Sequence, residues 1–159
     1  MEAILELLKK NARFSPEEIA DRLDMKADEV IEHIQELEDN GTILGYHGVI
    51  DRERSGDTTV SALIEIKLTP ERDGGFDRLA ERIAKFHQVS HCYLMSGGYD
   101  LAVIVEGATL NEVARFVSEK LSTVEGVIAT STHFQLKVYK QSGFLASAGF
   151  EDQRLAVTP

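Results

Sequence analysis

The chain has 159 residues, 43% of them hydrophobic and 28% charged, and carries a formal net charge of −10. One compact domain or two small ones fit that length, a disordered or fibrous class is excluded, and generic affinity for nucleic acid or anionic membranes is disfavoured. No apolar run reaches the ~18 residues of a membrane span, the N-terminus lacks a signal-peptide layout, and the single Cys92 allows neither an internal disulfide nor a multi-cysteine metal site, so a cytoplasmic protein is expected.

In chain order, Ile4, Leu5, Leu7 and Leu8 recur at helical spacing, and Asn11 ends that helix before Phe14. Ser15-Pro16-Glu17-Glu18 then supplies an N-cap hydroxyl, a first-turn proline and a glutamate at the third position, a capping box. Ile19, Ala20 and Leu23 form the buried stripe of this second helix. After a break at Asp24-Met25-Lys26, a third helix places Val30, Ile31, Ile34 and Leu37 on one apolar face and closes at Asn40-Gly41 with a left-handed C-cap. Thr42 to Asp51, with Ile43, Tyr46, Val49 and Ile50, reads as a strand or ribbon. Residues 1–51 thus have the layout of a winged helix-turn-helix, a spacing that a plain three-helix bundle also produces.

Residues 52–57 are polar, contain Gly56 and read as a linker. Over residues 58–140 the period becomes that of alternating strands. Val60, Ala62, Ile64, Ile66 and Leu68 alternate with Ser61, Leu63, Glu65 and Lys67; Phe76, Leu79, Ala80, Ile83 and Phe86 stripe a helix; Val89 to Met95 is a strand. Gly97-Gly98 reads as a hairpin turn with positive φ at both glycines, and Leu101 to Val105 as the next strand. Thr109-Leu110-Asn111-Glu112 is a second capping box, and Leu110, Val113, Ala114, Val117 and Leu121 are the expected buried stripe of its helix. A last strand is expected from Val127 to about Tyr139, with Ile128, Thr130, Thr132, Phe134, Leu136 and Val138 on one face. The order strand-helix-strand-strand-helix-strand predicts an α+β, ferredoxin-like βαββαβ domain with both helices on one face of an antiparallel sheet. Leu63, Leu94, Ala102 and Ile104 are expected on its second face, which a dimer would cover; residues 141–159 form a tail rich in Gly, Ser and Ala.

A winged helix-turn-helix followed by such a domain resembles the Lrp/AsnC, or feast/famine, family of transcription regulators. The resemblance covers residues 1–140 and rests on Leu37-Glu38, Gly41-Thr42-Ile43-Leu44-Gly45-Tyr46, Val89-Ser90-His91-Cys92-Tyr93, Gly97-Gly98-Tyr99-Asp100-Leu101 and Glu125-Gly126-Val127. It implies a dimer through the sheets, assembled further into tetramers or octamers. It also implies DNA binding by the N-terminal modules and an amino acid or similar effector, bound near the turn between the second and third strands at contacts between dimers.

The residues make their own case for that effector site. Consecutive N–H groups at Gly97-Gly98 suit an α-carboxylate, and the Asp100 carboxylate suits an α-ammonium. Tyr99 adds a ring and a hydroxyl, and Thr130, Ser131 and Thr132 add hydrogen-bonding groups on the last strand. The same residues also fit a plain hairpin turn capped by Asp100. The DNA side is weaker: residues 1–51 hold thirteen acids and five bases, a net of −8, where DNA affinity calls for Lys and Arg at phosphates. On the third helix the expected solvent face is Asp28, Glu29, Glu32, His33, Gln35 and Glu36, where the family resemblance would lead one to look for Ser, Arg or Lys. Lys26, His33 and Gln35 remain as candidates for phosphate or base-edge contact.

Three readings of the acidic head stay open: weak DNA binding strengthened by avidity in an oligomer, binding of a basic protein, or an effector-responsive scaffold with a degenerate head. The siroheme decarboxylases share this architecture and supply an enzymatic alternative, but His47, His87, His91 and His133 form no catalytic grouping in the sequence, and no catalytic residue, metal or cofactor is expected. His87, His91 and Cys92 are set aside as a metal site because the period puts the two histidines on different elements.

Overall fold

The computed structural model describes residues 1–70 and 75–146, and the chain divides into two compact units, Met1–Gly48 and Val49 onward. Among the described residues no helix is long and apolar enough to cross a membrane. The Pro70 to Gly75 turn and the 141–159 tail fall partly outside these residues.

The first unit consists of α1 (Glu2–Lys10), α2 (Pro16–Leu23) and α3 (Ala27–Asp39). The start of α2 is fixed as the local sequence requires. The Ser15 side chain accepts from the Glu18 N–H at 3.2 Å, and the Glu18 carboxylate accepts from the Ser15 N–H at 2.8 Å. Asp24, in the left-handed region (φ 53°), ends α2, and Gly41 (φ 74°) follows α3, where a side chain would be strained. Ile4, Ile19, Ala20 and Val30 form the core, bordered by Leu7, Leu8, Phe14, Leu23, Met25, Ala27 and Ile34. Ile31 departs from the expected apolar face and is 48% exposed, because the stripe closes through Val30, Ile34 and Leu37. The expected strand over Thr42 to Asp51 is absent: residues 44–50 are without regular structure, and none of them makes a backbone–backbone hydrogen bond to another of the described residues.

In the second unit the 52–57 segment contains a one-turn helix, α4 (Arg52–Ser55), capped by Asp51. Four strands, β1 (Val60–Leu68), β2 (Val89–Leu94), β3 (Leu101–Gly107) and β4 (Val127–Phe134), form an antiparallel sheet of order β2-β3-β1-β4. Helices α5 (Asp77–Ala84) and α6 (Leu110–Glu119) cover one face of it. Ala62, Ile64, Ile66 and Leu68 alternate inward with Leu101, Val103 and Val105, and they meet Leu79, Ile83, Val113, Phe116, Val117, Leu121 and Val124. Gly126 (φ 96°) lets the chain pass α5, since a Cβ there would lie 2.6 Å from Leu79 Cδ1. The chain ends, among described residues, in a small hairpin of β5 (Lys140–Gln141) and β6 (Phe144–Leu145).

Several details depart from the sequence reading, each for a geometric reason. Leu94 pairs with Leu101, so it points to the helix side at the sheet edge, and His91 and Tyr93 take the second face opposite Ile104 and Ala102. Leu110 and Ala114 are exposed and Phe116 is buried, because the inward stripe of α6 runs through Val113, Phe116 and Val117. Ile128 is 62% exposed at an irregularity in the β1–β4 ladder, where Ala129 and Val127 face the consecutive residues Lys67 and Leu68. The second capping box is displaced by one residue, with Glu112 accepting from Ala108 N–H rather than from Thr109 N–H. Strand β4 stops at Phe134, so Leu136 and Val138 lie beyond the sheet.

Candidate effector loop and DNA-reading helix

The turn between β2 and β3 is a four-residue loop, Ser96 to Tyr99, closed by the Met95 N–H donating to the Asp100 carbonyl at 2.8 Å. Of the two glycines only Gly97 has positive φ (140°), so the expected two-residue turn with both glycines left-handed is corrected. The extra length lets the loop lean onto β1 through three bonds. Asp100 N–H donates to the Ile66 carbonyl at 2.9 Å, the Asp100 carboxylate accepts from Leu68 N–H at 2.7 Å, and Lys67 Nζ donates to the Gly98 carbonyl at 3.1 Å. Asp100 therefore already holds one backbone donor and keeps lone pairs on its second oxygen, while Gly97 and Gly98 are exposed and Tyr99 is half-buried. Lys67 was not among the residues singled out from the sequence; a lysine on the open face of an alternating strand has no local signature, and only the pairing of β1 with β3 brings it to the loop.

The last-strand residues do not form one row. Thr130 and Thr132 lie opposite Ile66 and Ile64 on the helix side, and Ser131 lies opposite Glu65 on the other face. Alternation along a strand makes this unavoidable for three consecutive residues. Because β1 runs between β3 and β4, Thr130 stands about two strand spacings, roughly 10 Å, from Asp100 within one chain. Thr130 Oγ1 meets Ser122 Oγ at 3.2 Å, and Ser131 Oγ lies 3.4 Å from His133 Nε2, which is 3.6 Å from Glu65.

On the first unit, Lys26 is the exposed N-cap residue of α3, and its N–H donates to Glu29 at 3.4 Å. Gln35 donates to Asp39 at 3.0 Å, and His33 Nδ1 lies 3.9 Å from Glu36. Both polar candidates on the helix thus turn to carboxylates of their own face, which also presents Ile31, Glu32 and Asn40. The Tyr46 hydroxyl donates to Glu38 at 2.9 Å; burial first, and the Glu38 carboxylate second, push its pKa above the ordinary value.

His87 lies in the turn before β2, His91 on the second face, and Cys92 against the core, where burial pushes its thiol pKa up. Among the described residues no group of three or more His, Cys, Asp or Glu side chains gathers to hold a metal ion.

Comparison with known proteins agrees with both halves. Residues 61–145 match the family described as Lrp/AsnC ligand binding domain, and residues 2–43 match a winged helix-turn-helix DNA-binding family. An uncharacterized HTH-type transcriptional regulator of Bacillus subtilis, YugG, is 45% identical over 157 residues, covering 98% of this chain and 95% of its own. The leucine-responsive regulatory protein of Haemophilus influenzae is 25% identical over 142 residues, covering 89% and 85%. In fold, a transcriptional regulator from Neisseria meningitidis solved as its L-Met complex superposes with a TM-score of 0.66 at 24% identity, covering 87% of this chain and 89% of that one. With helix-turn-helix and ligand-binding domain in the family's order along one chain, this protein belongs to the Lrp/AsnC family of transcriptional regulators.

Proposed function

We propose that this regulator senses a small zwitterion, an amino acid or close relative, at the Ser96–Asp100 loop, and that it acts on DNA as a cytoplasmic homo-oligomer. The observation that carries the reading is the convergence at one end of the sheet of an exposed Gly97-Gly98 backbone, the half-buried Tyr99 ring, and an Asp100 carboxylate with acceptor capacity to spare. An α-ammonium would bind the free Asp100 oxygen and an α-carboxylate the loop N–H groups. The L-Met bound to the Neisseria relative supports the ligand class. Thr130, Ser131 and Thr132 are too far from the loop of their own chain to share its ligand. They join the site only if a neighbouring subunit supplies them, which fits a ligand held where dimers meet.

The dimer itself forms through the second face of the sheet, where Leu63 and Ile104 are half-buried, Ala102 of β3 is buried beside Tyr93, and Tyr93 is 52% exposed. Dimers then associate into tetramers or octamers. Ligand binding at the dimer–dimer contact favours one assembly, and the assembly sets the spacing of the DNA-reading heads. Lys26, His33 and Gln35 make the contacts of each head, weakly, and avidity supplies the rest. The net of −8 on residues 1–51 specifically favours a second reading, an effector-responsive scaffold without DNA affinity.

A gel-shift titration on the protein's own upstream region, with and without a panel of amino acids, separates these readings: no shift under any condition leaves the scaffold. Calorimetry on Asp100→Asn tests the sensor directly. The amide oxygen still accepts from Leu68 N–H while the charge is gone, so the turn stays intact and amino-acid affinity should fall by roughly tenfold or more. Unchanged affinity would remove Asp100 from the site.

A further inference from the structure

Beside the Ser96–Asp100 loop stands a cation with no counter-charge. Lys67 Nζ donates to the Gly98 carbonyl at 3.1 Å, and among the described residues it pairs with no carboxylate. The acids next to it in the sheet are turned elsewhere. Asp100, which the β1–β3 register continued by one residue sets against Lys67, accepts from Leu68 N–H at 2.7 Å. Glu65, two residues back on the same face of β1, lies 3.6 Å from His133. On β4 the residue opposite Lys67 is Ala129. An ammonium carries three donors, so two remain for something outside the chain.

The three bonds that lean the loop on β1 are not equivalent. Both Asp100 bonds end on backbone groups of β1, and they hold the turn without help. The Lys67 bond joins an exposed, flexible side chain to the carbonyl of an exposed glycine, so a ligand can share or displace it without moving either strand. The ties fall on neighbouring residues of β1, 67 and 68, about 3.3 Å apart along the strand, which brings the cation and the Asp100 carboxylate within the span of one small molecule.

Matched against an α-amino acid, the loop leaves this cation over. The N–H groups of Ser96, Gly97, Gly98 and Tyr99, none of which has an acceptor among the described residues, suit the α-carboxylate, and the second Asp100 oxygen suits the α-ammonium. Only a further anionic group on the ligand satisfies Lys67. We propose that Lys67 is the specificity-determining residue of the loop and that the effector is an amino acid with an acidic side chain, of the aspartate or glutamate class. The inference rests on the sensor reading of the loop and names its ligand. A neutral side chain leaves the ammonium to water, and a basic one meets like charge.

Calorimetry on the full chain with acid and amide pairs tests this, L-glutamate against L-glutamine and L-aspartate against L-asparagine, because the members of each pair match in shape and differ in charge. The better acid should bind roughly tenfold or more tightly than its amide. Lys67→Met, which keeps the apolar stem, should bring that acid down to the level of the amide while the amide's own affinity stays within about twofold; Lys67→Arg should keep the preference. A wild type that binds the amide as tightly as the acid, or a neutral or basic amino acid more tightly than either acid, overturns the acidic class. A Lys67→Met protein that loses acid and amide alike makes the lysine a prop for the loop and overturns its part in selection. Either result leaves the sensor loop standing so long as Asp100→Asn still weakens binding. A wild type that binds no amino acid overturns the sensor and its selectivity together.

Discussion

The two units are held together in different ways. The head gathers its core around a cluster of four buried residues, Ile4, Ile19, Ala20 and Val30, with Leu37 buried besides, and its helix ends are set by neighbours in sequence such as Ser15 with Glu18. The main cluster of the second unit holds fourteen buried residues among those described, drawn from two strands, two helices and the turn after α6, with partners dozens of residues apart, as in Ile64 with Val103. The charge is just as unevenly divided, since residues 1–51 hold a net of −8 out of the −10 of the whole chain. A small, locally stabilised, self-repelling module is carried by a robust sheet domain, and the weaker partner is the one that must meet a polyanion.

The sharpest way to break this contrast is to remove a core side chain from each unit. Ile64→Ala should cost about 2–5 kcal/mol and unfold the sheet domain at markedly lower urea. Ile19→Ala should cost a similar amount but melt the head alone, giving two separate transitions by circular dichroism. A single shared transition for Ile19→Ala would show that the head is not an independent folding unit. Gly126→Ala comes next. Its Cβ meets Leu79 at 2.6 Å in a backbone conformation disfavoured for L residues, so a loss of about 1–3 kcal/mol is expected in the second unit only. Ser15→Ala, which deletes the N-cap of α2, should lower head stability by about 1 kcal/mol and leave the sheet transition unmoved.

The smallest effect is the titration of Tyr46. Because its folded pKa is raised, the hydroxyl contributes stability that is fully present below the unfolded tyrosine pKa and lost as pH rises through the folded value. The difference between wild type and Tyr46→Phe in phenolate absorbance should have its midpoint above the ordinary tyrosine value. A midpoint at or below that value would mean that the Glu38 contact is absent in solution.

Much of this was legible residue by residue. The capping box at Ser15, the left-handed glycine after α3, the alternation of β1 and the order of elements all follow from interactions within a few positions, and so the fold class and its family resemblance could be read directly. Errors gathered where a residue's environment comes from across the sheet. Leu94 looks like an outer-face residue until its pairing with Leu101 is known, and Leu110 looks buried until α6 is docked. The candidate site divides in the same way: the loop and Asp100 were visible as a glycine-rich turn before a strand, whereas Lys67 reaches it only through the β1–β3 register.

The sequence by itself determined where the five longer helices lie, which segments alternate, and where the charge sits, because those depend on neighbours along the chain; the one-turn α4 escaped it. Only the tertiary structure decided which face each strand residue takes, that Asp100 caps Leu68, and that the strand pattern of residues 44–50 and 136–138 finds no backbone partner among the described residues. A strand, unlike a helix, cannot satisfy its own backbone: its hydrogen bonds must come from elsewhere in the fold or from a second molecule.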